Sequence, residues 1–187
     1  MGAHFADHRP DDHGTGIPVE VEPLTAPLIE ACAALAVERD GGRPSDWRAS
    51  LERNLGAEDR ATFVARTGDD VAGYGTVGWF APRTSDPTSP APDGWYLLGL
   101  LVAPRYRRRG VGRALTAARL RWVAGRGDRV WYFASSANPA SIDLHTGFGF
   151  RLVDAPVEVP GVTFTATGQL YALDLPAPAS AIGPIAP

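Results

Sequence analysis

The sequence predicts a mixed α/β sheet, with hairpins at one end and a parallel crossover in the middle. Three observations predict it. β-like and amphipathic runs follow one another as strand, two helices, three strands, helix, strand, helix and two strands. Residues 95–103 are strongly apolar, as in a strand covered on both faces, and Pro104 ends the run. Residues 110–125 carry apolar side chains at helical spacing between that strand and another apolar run, 130–134. A strand–helix–strand unit of this kind is parallel and right-handed.

Each element has a local cause. The run 17–21 is short and β-like. In 24–39, Leu24, Leu28, Cys32, Leu35 and Ala36 recur at helical spacing, and Gly41 and Gly42 stop the helix. Ser45 or Asp46 is expected to cap a second helix, with Trp47, Leu51 and Leu55 on one face and Gly56 at its end. Strands at 61–66 and 71–80 are joined by the turn Thr67-Gly68-Asp69-Asp70. The run 81–94 carries four prolines and reads as a long loop. The helix at 110–125 buries Val111, Ala114, Leu115, Ala118 and Trp122. Asn138-Pro139 opens a short helix, proline being tolerated in a first turn, and strands at 148–153 and 164–175 close the domain.

One domain is expected over residues 16–175, between a polar tail at 1–15 and a Pro/Ala-rich tail at 176–187. The lone Cys32 excludes an intrachain disulfide and a cysteine metal cluster, and no metal is expected. The absence of a signal-like or membrane-spanning run leads to the expectation of a soluble cytoplasmic protein without a membrane partner. All 18 basic side chains are arginine. Nine lie between Arg105 and Arg129, where Asp128 is the only acid; the other nine face 20 acids, a balance of −11. This polarity suggests an anion site on an acidic body.

The run from Val102 to Leu115 locates that site. A buried strand turns directly into a helix whose first N–H groups lack internal partners. With the helix dipole these groups attract phosphate. Gly110 and Gly112 allow close approach to the backbone, and Arg107, Arg108, Arg109 and Arg113 supply cationic donors. A nucleotide P-loop would need a lysine; a dinucleotide fingerprint would need glycine at Leu115 and an acid near Tyr132. Nucleic acid is not expected as a partner, because the basic patch is short and the remaining body is acidic. The bland alternative is a solvated arginine face on an ordinary helix, although glycines at a helix start are costly without a reason.

Arg107-Arg108-Arg109-Gly110-Val111-Gly112 resembles the Arg/Gln-x-x-Gly-x-Gly/Ala signature of the GNAT N-acetyltransferase superfamily. The run from Asn138 to Phe150 resembles that family's second motif, an Asn-led helix ending in Gly-Phe. The likeness covers residues 19–175. It implies a central mixed sheet of about six to seven strands, splayed at the cofactor site and flanked by about four helices. It also implies acetyl-CoA as cosubstrate. Leu100, Leu101 and Val102 would pair with the pantetheine arm. The pyrophosphate would lie on Arg107, Arg108, Arg109, Gly110, Val111, Gly112 and Arg113, with Asn138 and Ser141 beside the thiol. A backbone N–H near Leu101 or Val102 would stabilise the oxyanion.

The family's usual tyrosine acid is replaced by His145, as in phosphinothricin-type acetyltransferases, and His145 is expected to protonate the leaving thiolate. Tyr132 and Tyr96 stand in reserve. Glu38, Asp40, Trp95 and Tyr132 are the candidates for the acceptor cleft. Acetyl transfer to a primary amine of a small molecule is expected, by a monomer or homodimer. An aminoglycoside-type antibiotic is the first candidate, on the acidic body and a likeness to antibiotic-acetylating proteins. An amino acid, a peptide N-terminus or a polyamine is the alternative. A catalytically silent CoA-binding regulatory domain is the rival from another class.

Overall fold

The computed structural model describes residues 16–81, 91–159 and 162–176. The expected tail at 1–15, all but the first residue of the expected tail at 176–187, and most of the proline-rich loop lie outside the described residues. A seven-stranded sheet runs in the order β1-β2-β3-β4-β5-β7-β6. Its strands are β1 (Glu20–Pro23), β2 (Arg60–Thr67), β3 (Asp70–Phe80), β4 (Gly94–Val102), β5 (Arg129–Ser135), β6 (Arg151–Asp154) and β7 (Gly168–Asp174). Four α-helices connect them: α1 (Ile29–Asp40), α2 (Pro44–Glu52), α3 (Val111–Ala124) and α4 (Pro139–Thr146). β4 and β5 are parallel, while the other neighbouring pairs are antiparallel.

Two helix starts differ from the sequence reading. A 3-10 turn at Ala26–Leu28 precedes α1, because Pro27 cannot supply a helical N–H. α2 begins at Pro44 after an extended Arg43, with no side-chain cap from Ser45 or Asp46.

Helices cover both faces of the sheet. Buried residues of α1 and α2 pack with Val64, Tyr74 and Leu101. Residues of α3 pack on the opposite face with Val77, Trp95, Leu97 and Tyr132 and with Leu100 and Val102. Strict alternation would give α3 residues 95, 97, 99 and 101. Instead Thr76 on β3 faces two residues of β4, Leu98 and Gly99, where the register shifts between Gly75↔Leu100 and Val77↔Leu97. This bulge resets the pleat, so Trp95, Leu97, Leu100 and Val102 share the α3 face.

Cys32 is fully buried against α2 and β3, and burial pushes its thiol up to about 12. Ellman's reagent should therefore leave the folded protein unmodified and titrate one thiol per chain in denaturant. Stoichiometric labelling of the folded chain at neutral pH would place Cys32 outside the core.

Candidate active site

The site begins where two strands part. β4 pairs with β5 at Trp95↔Val130 and Tyr96↔Trp131, and no further pairs follow. Beyond them β5 continues to Ser135 beside β7, while β4 continues to Val102 beside β3. The Ala103 N–H bonds to the Ala72 carbonyl at 2.9 Å. Antiparallel pairs alternate between hydrogen-bonded and non-hydrogen-bonded. Continuing the register from Ala72, the Leu101 peptide faces β3, whereas those of Leu100 and Val102 face the gap left by β5. Of the three residues expected to contact the cofactor through their backbone, Leu100 and Val102 therefore border the gap, whereas the Leu101 N–H is turned towards β3, which corrects that expectation at Leu101.

Two arginines reach the same edge. Arg39, near the end of α1, donates from Nη1 to the Leu100 carbonyl at 3.0 Å. Arg107 Nε donates to the Val102 carbonyl at 3.4 Å. The Arg39 guanidinium also forms two bonds with Asp40, at 2.8 and 2.6 Å.

The turn after β4 prepares the helix start. Arg108 and Gly110 both have positive φ, 60° and 91°, and no side chain caps α3. The first α3 amide bonded back to the turn is that of Ala114, to the Gly110 carbonyl at 2.9 Å. The earlier N–H groups, at Val111, Gly112 and Arg113, make up the first turn, and helix starts of this kind attract anions. A Cβ placed on Gly112 would lie 3.4 Å from Leu144, 3.8 Å from Leu100 and 3.9 Å from Val102. Gly112 is thus where the arginine-glycine turn, the unpaired edge of β4 and α4 converge. Those distances are ordinary van der Waals contacts, so packing does not demand glycine there. The uncapped helix start and open strand edge beside it suit a ligand that carries phosphate and amide groups. Arg113 lies over the Phe148 ring at 5.0 Å, and Arg109 is exposed.

The sequence model of the Acetyltransferase (GNAT) family matches residues 29–150, a span holding both motifs. The chain belongs to the GNAT acetyltransferase family. It is 34% identical over 122 residues to a mycothiol acetyltransferase of Thermobispora bispora, covering 65% of this chain and 36% of that protein. The chain therefore matches about a third of that relative's length. An N-acetyltransferase from Staphylococcus aureus has the same fold, with TM-score 0.67, 17% identity, and 85% and 99% of the two chains covered. So does Arabidopsis thaliana NAA60, solved with acetyl-CoA, with TM-score 0.62, 16% identity, and 84% and 98% covered.

Several residues of this GNAT chain lie elsewhere than the sequence suggested. His145 is buried, 1% exposed, with its ring stacked on Tyr132 at 3.7 Å between centroids. Its Nδ1 bonds to the Ser141 carbonyl at 2.8 Å, so Nδ1 carries the hydrogen, and Nε2 has no partner. Burial first, then the positive charge of Arg119, lowers its pKa to about 3. A neutral, sealed imidazole has no proton to give near neutral pH, which corrects the general-acid expectation. Tyr96 is also sealed, donating its O–H to the Pro92 carbonyl at 2.8 Å. Trp95 is packed edge-on between Trp79 and Trp122, and Tyr132 is buried in the same cluster, so neither lines an acceptor cleft. The Tyr132 hydroxyl instead meets the Ser141 hydroxyl at 2.6 Å, and burial pushes the phenol pKa up.

Asn138 accepts the Ser141 N–H at 3.2 Å and caps α4. Glu38 is exposed, while Asp40 is brought to the β4 edge by its pairing with Arg39. Arg39 and Arg119 were missed. Arg39 carries no sequence signal beyond a position near a helix end. Arg119 does carry one, because it follows Val111 and Leu115 at four-residue spacing on the buried stripe.

Two predictions follow from this geometry. Gly112→Ala should stabilise the ligand-free protein by about 0.5–1 kcal/mol through helix propensity while weakening acetyl-CoA binding. Urea denaturation and calorimetry read the two effects, and unchanged affinity would remove Gly112 from the site. His145 has its folded pKa depressed to about 3, below the 6.5 of an unperturbed imidazole. Its contribution to stability is present above pH 6.5 and is lost as pH falls towards 3, by about 1.4 kcal/mol per pH unit. Denaturation between pH 7 and 5 should show this slope in the wild type, reduced by one proton in His145→Asn.

Proposed function

We propose that this chain transfers an acetyl group from acetyl-CoA to a primary amine of a small molecule. The observation that carries the reading is the convergence at Gly112 of an uncapped helix start with the unpaired Leu100–Val102 edge. The N–H groups of Val111, Gly112 and Arg113, with the arginines of the turn, would hold the pyrophosphate. Leu100 and Val102 would hold the amide-bearing arm. Acetyl-CoA supplies an activated acyl group.

The chain's own residues do the rest. The Leu100 N–H, turned into the gap, would stabilise negative charge on a carbonyl oxygen. Ser141, whose hydroxyl shares a 2.6 Å hydrogen bond with the Tyr132 hydroxyl, would supply a hydroxyl for the departing sulfur. Asp40, beside Leu100 through Arg39, is the carboxylate that would meet an incoming ammonium.

For the acceptor, the −11 balance outside residues 105–129 supports a cationic amine. An aminoglycoside-type antibiotic comes first in the panel, followed by polyamines, amino acids and short peptides. Thiol release should appear with cationic amines, and KM should rise with salt as carboxylate attraction is screened. Turnover confined to anionic amino acids, indifferent to salt, would overturn the cationic acceptor and leave acetyl transfer standing. Tight acetyl-CoA binding without turnover on any amine would favour a silent CoA-binding domain.

A further inference from the structure

Arg119 stands apart from the other arginines. It lies on the sheet-facing side of α3 with no exposed surface, and among the described residues no carboxylate forms an ion pair with it. Its donors reach four oxygens. Nε donates to the Leu115 carbonyl at 3.3 Å and Nη2 to the Thr116 hydroxyl at 3.0 Å, both on its own helix. Nη1 crosses to the sheet and donates to the carbonyls of Thr76, at 3.3 Å, and Leu98, at 3.0 Å.

Those two carbonyls belong to the bulge. Thr76 is the β3 residue opposite two β4 residues, and Leu98 is the first of that pair. A bulge interrupts the ladder and leaves peptide oxygens to be satisfied in another way. Gly75, at the edge of the bulge, leaves the necessary room, since a Cβ there would lie 3.2 Å from the guanidinium carbon. A guanidinium suits the position because its planar fork binds two strands while anchored to a helix.

We propose that Arg119 is a positioning residue for acetyl transfer: by holding the Thr76 and Leu98 carbonyls it fixes the bulge, and with it the orientation of the Leu100 and Val102 peptide groups at the open edge. This rests on the reading of that edge as the acyl-donor site. Arg119 touches no donor itself and acts through β4.

The test compares Arg119→Met, Arg119→Lys and, as a control for helix packing, Val123→Ala near the end of the same helix. Amide hydrogen exchange over residues 98–102, measured without ligand, reads the strand directly. Calorimetry reads acetyl-CoA affinity, and steady-state kinetics separates KM for acetyl-CoA from KM for the amine. In Arg119→Met the segment should exchange about tenfold faster, and acetyl-CoA should bind about tenfold more weakly, with the amine KM changed less. Arg119→Lys should recover part of both effects, and Val123→Ala neither, even where its melting temperature falls as far. Unchanged exchange in a folded Arg119→Met, or an equal loss of affinity in Val123→Ala, would overturn the proposal. If Arg119→Met does not fold, Arg119→Lys carries the test, because an ammonium cannot hold the Thr76 and Leu98 carbonyls and the helix oxygens with the planar fork of a guanidinium. Faster exchange and weaker binding are then expected, and wild-type values for both would overturn the proposal. Failure of the wild type to bind acetyl-CoA would defeat the donor-site reading, while the exchange data would still decide whether Arg119 holds the bulge.

Discussion

The parallel contact between β4 and β5 extends over two residue pairs, Trp95↔Val130 and Tyr96↔Trp131, and the site depends on its stopping there. A strand inside a sheet uses both edges of its backbone. When the neighbour departs, the peptide groups of one edge must find other partners or face a cavity. Here the carbonyls of Leu100 and Val102 receive donors from Arg39 and Arg107, and their N–H groups point the same way. The strands part without exposing β4 wholesale to water because helices cover both faces of the sheet, with Leu101 under α1 and α2 and Leu100 under α3. A single bulge separates the well-paired half of β4 from the half that borders the gap.

Two buried nitrogen bases beside this strand resolve the same physical problem in opposite ways. Arg119 is lowered to about 9 by burial, still well above neutrality, and retains its charge because four oxygens surround its fork. His145 has one oxygen partner and feels the Arg119 charge, so it stays neutral. A second cation would have to be desolvated without compensation and in repulsion with the first. The position from which the family resemblance suggested an acid therefore serves as packing between Tyr132 and Phe150. The hydroxyl pair Tyr132–Ser141 is the polar group on that side.

The boundaries of β2, β3, β4, α3, β5 and α4 were legible within one or two residues, because each is closed by a strong local signal: the Gly68-Asp69 turn, Pro104, the glycine turn, Gly125 and Asn138-Pro139. The uncapped start of α3 was legible for the same reason, since the geometry of a helix start is local. What failed was non-local. Trp95 and Tyr132 are amphipathic aromatics on a strand, and alternation states which neighbours share a face but not whether that face meets a cleft or a helix. The Leu98-Gly99 bulge is marked in the apolar run only by Gly99, and which of Leu100, Leu101 and Val102 turns its peptide away from β3 depends on the register with that strand. The charge on the buried stripe at Arg119 was visible, but its meaning required the position of Thr76, which lies 43 residues earlier in the chain.

The lysine-free composition acquires a structural consequence at this edge. An ammonium can approach one carbonyl, but its compact, strongly hydrated charge is poorly matched to holding a strand carbonyl and a neighbouring carboxylate at once. Arg39 does both, with one nitrogen on Leu100 and two on Asp40. The carbonyls of the open edge are then already satisfied, whereas the N–H groups beside them are the remaining valence. An edge of that polarity favours a ligand that presents oxygen acceptors, such as amide carbonyls along an extended arm, over one that presents donors. The helix start at Val111–Arg113 has the same polarity and meets the edge at Gly112. On the proposed reading, phosphate and amide recognition would draw on one resource, backbone N–H groups freed by a helix that begins and a strand that loses its neighbour, with the arginines holding the carbonyls beside them.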